Sequence, residues 1–263
     1  MRIILAFLVV FAGLSCKPNV DGTNSKKLSK DQVKQLKSRA NELRIFGDSN
    51  EGNADQFEQG IRLLQKDYPA ESHSYNLMMT AITHREYFQQ PDKAKNLANE
   101  LVAGSAPDEI KTLARGIIHR LESLNKSISL KFTAVDGRKV DLSEMKGKVV
   151  LVDFWTTWCG PCVTELPRIK AAYEKFRGQG FEVIGLSSDE NKDTLQRFLN
   201  KNGVSWPQHF DGKCGFKNKF EAEFGVNGFP HMFLVDKQGR LRFDNVRAKD
   251  GFEEQITTLL AEQ

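Results

Sequence analysis

Val149-Val-Leu-Val-Asp-Phe-Trp-Thr-Thr-Trp-Cys-Gly-Pro-Cys162 decides how this chain folds. The run 149–154 is apolar except for Asp153, which predicts a buried central strand. The chain then turns, and two cysteines open a helix predicted from about Cys159 to Arg177, ending near Gly178. A thiolate at a helix N-terminus meets backbone N–H groups and the positive end of the helix dipole, and both favour its charge. A Cys-x-x-Cys pair serves metal binding as well as redox chemistry, so its surroundings have to choose.

Short β-type runs alternate with helices on both sides of that stretch, the pattern of an α/β domain with a mixed sheet. Residues 128–135 alternate as a strand, and Asp136-Gly137 is a hairpin turn leading into a second strand over 138–141. A short helical turn is predicted at 143–145. Further strands are predicted at 181–187, 231–235 and 241–245, the last two joined across Asp236-Lys-Gln-Gly239. Helices are predicted over 192–202, stopped by Gly203, over 216–224 and over 251–260.

From residue 28 to 125 every periodic signal is helical. Ser29 and Gln32 form a capping box, Leu28 can staple against Val33, and Gly47 is placed to end a helix marked by Val33, Leu36, Ala40 and Leu43. Phe57, Ile61, Leu64 and Tyr68 mark a second helix that stops at Pro69, and Tyr75, Met78, Met79 and Ile82 mark a third. A fourth runs from Pro91 to Gly104, and a fifth opens with Ser105 and Pro107 and carries Ile110, Leu113, Ile117, Leu121 and Leu124. These stripes predict a small all-α domain, either an antiparallel helical bundle or degenerate tetratricopeptide-like pairs. His73, His84 and His119 are scattered without metal-ligand spacing.

The 263 residues carry a net charge of +4 spread over mixed Lys and Glu/Asp. No basic cluster is interleaved with aromatics, which speaks against a nucleic-acid partner. Met1-Arg2 followed by an apolar run from Ile3 to Leu14 predicts a signal peptide, too short for a permanent bilayer span. The stretch Ala12-Gly-Leu-Ser-Cys16 resembles a bacterial lipoprotein cleavage site, in which Cys16 becomes the lipidated first residue. A plain secretory signal or an uncleaved anchor are the alternatives, and all three place the folded part outside the cytoplasm. The expected organisation is a signal peptide over 1–15, a flexible tether over 16–27, a helical domain over 28–125 and an α/β domain over 126–263. The other cysteines are Cys159, Cys162 and Cys214, too few for a disulfide-stapled scaffold.

The string from Val149 through Cys162-Val-Thr-Glu-Leu-Pro167, with Phe224-Gly-Val-Asn-Gly-Phe-Pro-His-Met-Phe-Leu-Val-Asp-Lys-Gln-Gly239, resembles the thioredoxin superfamily. It is most similar to exported, membrane-tethered reductases of the TlpA/ResA type. The resemblance covers residue 128 to the C-terminus and implies a thioredoxin-like fold, a central mixed sheet flanked by helices. It implies a thiol-disulfide oxidoreductase that acts on protein or peptide disulfides, draws electrons from a donor protein and is held at the membrane through Cys16. No cofactor beyond the Cys159–Cys162 disulfide is expected, and no metal, since a second cysteine pair is lacking.

In that resemblance Cys159 is the solvent-accessible nucleophile and Cys162 the resolving thiol, with Asp153 accepting the Cys162 proton as burial raises its pKa. Trp158, Gly160, Pro161, Phe229 and Pro230 form the substrate-binding surface, Pro230 as a cis-proline beside the dithiol. Glu165 tunes the cysteines, contacts a partner or lies on the helix surface, Pro167 is expected to kink the helix, and His231 is either a surface residue bordering the site that tunes Cys159 or recognises substrate, or simply the start of the strand. Cys214 is a third redox thiol, a weak half of a metal site with His209, or a plain semi-buried cysteine. The Gly-Pro between the cysteines resembles reducing thioredoxins, with potentials of about −270 mV. Two other readings remain: a thiol peroxidase, weakened because Val152 stands where the peroxiredoxin motif needs proline, and a helical client-binding module with an accessory thiol domain.

Overall fold

The computed structural model describes residues 29–49, 54–68, 72–87, 90–248 and 251–262. The expected signal peptide, tether and Cys16, together with Leu28 and Pro69, lie outside the described residues, as do the side chains of Val33, Leu43 and His73. The chain divides into two compact units between Ala114 and Arg115.

In the first unit, α1 (Lys30–Ser49), α2 (Ala54–Asp67), α3 (Ser72–Tyr87) and α4 (Pro91–Ala103) precede the start of α5 (Asp108–Glu122). The capping box forms as expected: Ser29 N donates to Gln32 Oε1 at 2.9 Å and Gln32 N to Ser29 Oγ at 3.2 Å. Gly47 does not end α1, which runs on to Ser49. Phe57, Ile61, Leu64 and Tyr68 of the second stripe and Tyr75, Met78, Met79 and Ile82 of the third are all buried. Inside this apolar packing Arg85 is charged and buried, and its Nε donates to Glu58 Oε1 at 2.6 Å while Asp55 and Gln90 take its other N–H groups.

The second unit holds a five-stranded sheet ordered β5-β4-β3-β6-β7, from β3 (Val149–Trp155), β4 (Phe181–Ser187), β5 (Gln208–His209), β6 (His231–Val235) and β7 (Leu241–Val246). β3–β4 and β4–β5 are parallel, whereas β3–β6 and β6–β7 are antiparallel. Helices α6 (Gly160–Phe176), α7 (Lys192–Asn202), α8 (Lys219–Phe224) and α9 (Phe252–Ala261) complete the expected thioredoxin-like fold. β3 is central, and side chains alternate between its faces. Val149 and Leu151 pack with Ile169, Phe176 and Ile256 of α6 and α9, while Val150, Val152 and Phe154 pack with Phe220 and Phe224 of α8. The same alternation puts Asp153 on the face covered by α6.

Local signals place β4, α7 and β6 to the residue, but two further expectations need correction. The alternating run 128–135 is not one strand, because its residues serve three partners: Ile128 N donates to Gly239 O, Leu130 O accepts from Leu142 N, and Val135 N donates to Gln208 O. Only β1 (Lys131–Thr133) pairs with β2 (Lys139–Asp141). The helix expected over 216–224 is broken at Asn218, whose side chain accepts from Phe220 N and Glu221 N and starts α8 afresh after a 3-10 turn at Gly215–Lys217. Pro167 lies inside α6, which runs on to Phe176.

The division inside α5, eleven residues before the expected border at 125, follows from how the second half of that helix is held. A Cβ on Gly116 would lie 2.2 Å from Ala222 O and 2.3 Å from Gly225 N, so only glycine admits this approach. One turn on, Arg120 is 1% exposed and its Nε donates to Phe224 O at 2.8 Å. In an open helix Gly→Ala stabilises by about 1 kcal/mol, but here both obstructing groups are backbone atoms. Gly116→Ala is expected to destabilise the second unit by about 2 kcal/mol, the scale of core overpacking, measured by guanidinium unfolding. Trp155, Trp158 and Trp206 all lie in that unit, so tryptophan fluorescence reports it alone.

Candidate active site

β3 ends at Trp155, whose indole Nε1 donates to Gln208 Oε1 at 2.9 Å and whose carbonyl accepts from Ser188 N at 3.0 Å. The turn that follows is held by Asp189, which accepts from Thr157 Oγ1 at 2.6 Å, from Thr157 N at 3.1 Å and from Ser187 Oγ at 2.8 Å. Cys159 is then the N-cap of α6, its sulfur accepting from Cys162 N at 3.2 Å. The first turn brings the two Cα atoms to 5.3 Å, and Cys159 and Cys162 are joined as a disulfide. Pro161, in the first turn of α6, gives up an N–H that the turn does not use.

The expectation of a solvent-accessible Cys159 is corrected: it is 4% exposed and Cys162 6%. Both sulfurs pack with Trp155, Leu195 and Leu199, with Phe229 against the same cluster. Exposure belongs instead to Trp158, at 45%, which meets the Phe229 ring edge-on with centroids 6.2 Å apart. A Cβ built on Gly160 meets nothing within 4 Å, so the space above the first turn of α6 is open. The Phe229–Pro230 bond is cis, as expected. Among the described residues the N–H and C=O of Phe229 have no hydrogen-bond partner. An unpaired backbone edge of this kind can take an extended peptide by strand addition.

Asp153 is buried, its Oδ1 has no hydrogen-bond partner, and its pKa is raised to about 7. Burial is the main cause, Glu165 adds repulsion, and the Arg247 guanidinium opposes both. Glu165 is therefore not a surface carboxylate: it is half-buried and accepts from Ala248 N at 3.0 Å.

His231 begins the strand, as one of its two readings has it, and only its surface placement is corrected. It is buried at the start of β6, with Nε2 2.8 Å from Asp244 Oδ1 and its ring edge-on to Phe154 and Phe233. Burial lowers its pKa, Arg120 lowers it further, and Asp244 resists. Asp244 sits between His231 and Arg120, which overcome its burial and hold it well below the usual carboxylate range. His209 is buried in β5 with its ring edge-on to Phe132 and Phe220. Cys214 is corrected as well: it is half-buried, with its sulfur 3.5 Å from Glu190 Oε1, but it is disulfide-bonded and so is neither a plain cysteine nor a metal ligand. Among the described residues no group of three or more His, Cys, Asp or Glu side chains could hold a metal ion.

The sequence reading missed Asp189, Arg247, Arg120, Asp244 and a further buried acid, Glu221. Burial raises Glu221 to about 8 against hydrogen bonds from Ser188 Oγ and Gly215 N. Asp244 lies inside a predicted strand as Asp153 does, so the same cue was available for it. The others carry no local signal.

Residues 125–244 match the AhpC/TSA family. A thiol-disulfide oxidoreductase ResA of Bacillus cereus is 32% identical over 133 residues, 49% of this chain and 75% of the relative. The ResA of Bacillus anthracis is 36% identical over 109 residues, 41% of this chain and 61% of that relative's length. A solution structure of a thiol:disulfide interchange protein from Bacteroides sp. is 28% identical with a TM-score of 0.46, and covers 53% of this chain and 93% of its own.

Raising the Asp153 pKa from 3.8 to about 7 means the unfolded chain ionises first as pH rises. The destabilisation is absent below about pH 4, grows between pH 4 and 7 and is complete above 7, where it is about 4 kcal/mol. Asp153→Asn is expected to stabilise the oxidised protein by that order at pH 8 and to have little effect at pH 4, read from guanidinium midpoints at the two pH values.

Proposed function

The chain belongs, through its C-terminal half, to the ResA family of thiol-disulfide oxidoreductases, and on that premise we propose that it reduces protein or peptide disulfides through Cys159 and Cys162. The observation that carries this reading is the disulfide across the first turn of α6, capped by the Cys159 sulfur and set beside the open backbone of Phe229. The reduced form starts the reaction. The Cys159 thiolate, favoured by the Cys162 N–H and the helix dipole, attacks a substrate disulfide, forming one mixed S–S bond and expelling one substrate thiolate. Cys162 then gives its proton to Asp153, and its thiolate attacks the Cys159 sulfur. That step re-forms the Cys159–Cys162 bond, releases the second substrate thiolate, and leaves the enzyme two electrons poorer until a donor protein reduces it.

Because both sulfurs are nearly buried in the oxidised form, the substrate must reach them through the opening at Gly160 and Pro161. Trp158 and Phe229 supply an apolar edge for the residues flanking a substrate cystine, and the Phe229 N–H and C=O fix its backbone. The buried acid explains how Cys162, with little access to water, can lose a proton near neutral pH. The exported, membrane-tethered placement through Cys16 rests on the N-terminal signal alone. No described helix is long and apolar enough to cross a membrane.

With the purified protein and a thiol donor, insulin disulfides are expected to be reduced and hydrogen peroxide not to be turned over. Cys159→Ser is expected to abolish turnover, and Cys162→Ser to accumulate a mixed disulfide with substrate. A dithiol potential near −270 mV fits a reductase, and a value above about −180 mV would overturn that direction. Asp153→Asn is expected to slow resolution of the mixed disulfide at pH 7 by about 100-fold, the lower end of general-base contributions, read by single-turnover thiol release.

A further inference from the structure

β7 ends at Val246, which pairs with Met232, and the next residues are gripped by the helix that carries the cysteines. Ala248 N donates to Glu165 Oε2 at 3.0 Å, and Ala248 O accepts from Arg168 Nη1 at 3.2 Å. The residue before this doubly anchored Ala248, Arg247, uses its Nη1 to donate to the carbonyl oxygen of Pro230. Pro230 has no N–H, and its neighbour Phe229 is the residue whose backbone lies open. The same guanidinium acts electrostatically on Asp153 and on His231.

We propose that Arg247 is a positioning residue for thiol–disulfide exchange: one guanidinium holds the Pro230 carbonyl, and with it the open edge of Phe229, and supplies positive charge to the site. The inference rests on the dithiol reading given above. A guanidinium suits both tasks, since it is planar, always charged and rich in donors. Its own placement is set from α6 through Ala248. The nucleophile's helix and the loop beside Phe229 therefore take their relative positions from one three-residue segment, 246–248.

The charged and titratable groups acting on Asp153 are Glu165 of α6, which disfavours its ionisation, and Arg247, which favours it. The cysteine pair lies at the start of the same α6. His231 lies against Asp244, and burial with the charges of Arg120 and Arg247 lowers its pKa, which disfavours a charge there. Removing the Arg247 charge therefore raises the Asp153 pKa, and the step that needs ionised Asp153 moves to higher pH.

The test uses the full chain with Arg247→Gln and Arg247→Lys, following insulin reduction and the pH profile of mixed-disulfide resolution. Arg247→Gln is expected to shift the acidic limb upward by about one pH unit, as loss of a nearby opposite charge does. It is also expected to raise the KM for insulin about fivefold, the worth of one hydrogen bond. Arg247→Lys is expected to return the limb toward wild type while KM stays raised, and it carries the test if the glutamine variant does not fold. A wild-type pH profile in folded Arg247→Gln overturns the proposal, as does a shift that persists when Asp153→Asn is added. So does a lysine variant whose limb moves as far as that of glutamine. If the wild type fails to reduce insulin, or Cys159→Ser retains turnover, the dithiol reading itself falls.

Discussion

Strand β3 has no solvent-facing residue from Val149 to Trp155, and one of its seven side chains is an aspartate. An ionised carboxylate there costs several kcal/mol unless it is paired, so Asp153 keeps its proton to about pH 7 and its Oδ1 stays without a partner. The charges around it are held by other groups. Glu165, which works against ionisation, is engaged by Ala248 N, and Arg247, which works for it, is engaged by the Pro230 carbonyl. The helix bearing the cysteines, the segment after β7 and the loop before β6 are thus arranged around an acid whose Oδ1 none of them hydrogen-bonds. An acid left in that condition is poised to exchange a proton near neutrality, which a resolving thiol with little access to water requires.

Asp244 shows what the same residue type does when burial is compensated. It is buried like Asp153, yet it lies between the Arg120 guanidinium and His231 and is held ionised. Two aspartates of one sheet are pushed apart in acidity by whether a guanidinium touches them, and that separation distinguishes a structural carboxylate from one available for chemistry. Arg120 also explains why the end of α5 belongs to the second unit. A buried guanidinium needs acceptors, and it finds them in the Phe224 carbonyl and Asp244. Arg85 follows the same rule in the first unit, with Glu58, Asp55 and Gln90 as its acceptors.

Much of this architecture is legible locally. β4, α7 and β6 are read to the residue because a mostly apolar run, a Gly203 stop, and a run following Pro230 are all nearest-neighbour signals. β5 has only two residues, Gln208 and His209, and no periodicity to betray it. The run 128–135 reads as one strand only if its hydrogen-bond partners are ignored, and those partners lie up to more than a hundred residues away, at Gly239. At the site, Cys159, Cys162, Asp153, Phe229 and Pro230 sit in two contiguous strings that the sequence presents whole. Arg247 is one basic residue among 38 Lys and Arg, and nothing near it in the chain points to Pro230.

The sequence by itself determined which reactive groups exist and how they are spaced: two sulfurs one helical turn apart after a strand, and a carboxyl group two residues before that strand ends. Covalent geometry and helix periodicity set those relations over a few bonds, so they survive any detail of packing. Only the tertiary structure decided the state of each group. It made Asp153 a near-neutral acid and Asp244 an ion, buried Cys159 and left Trp158 exposed, and turned His231 inward. Desolvation and charge act through space, and the atoms that impose them on each site come from distant parts of the chain.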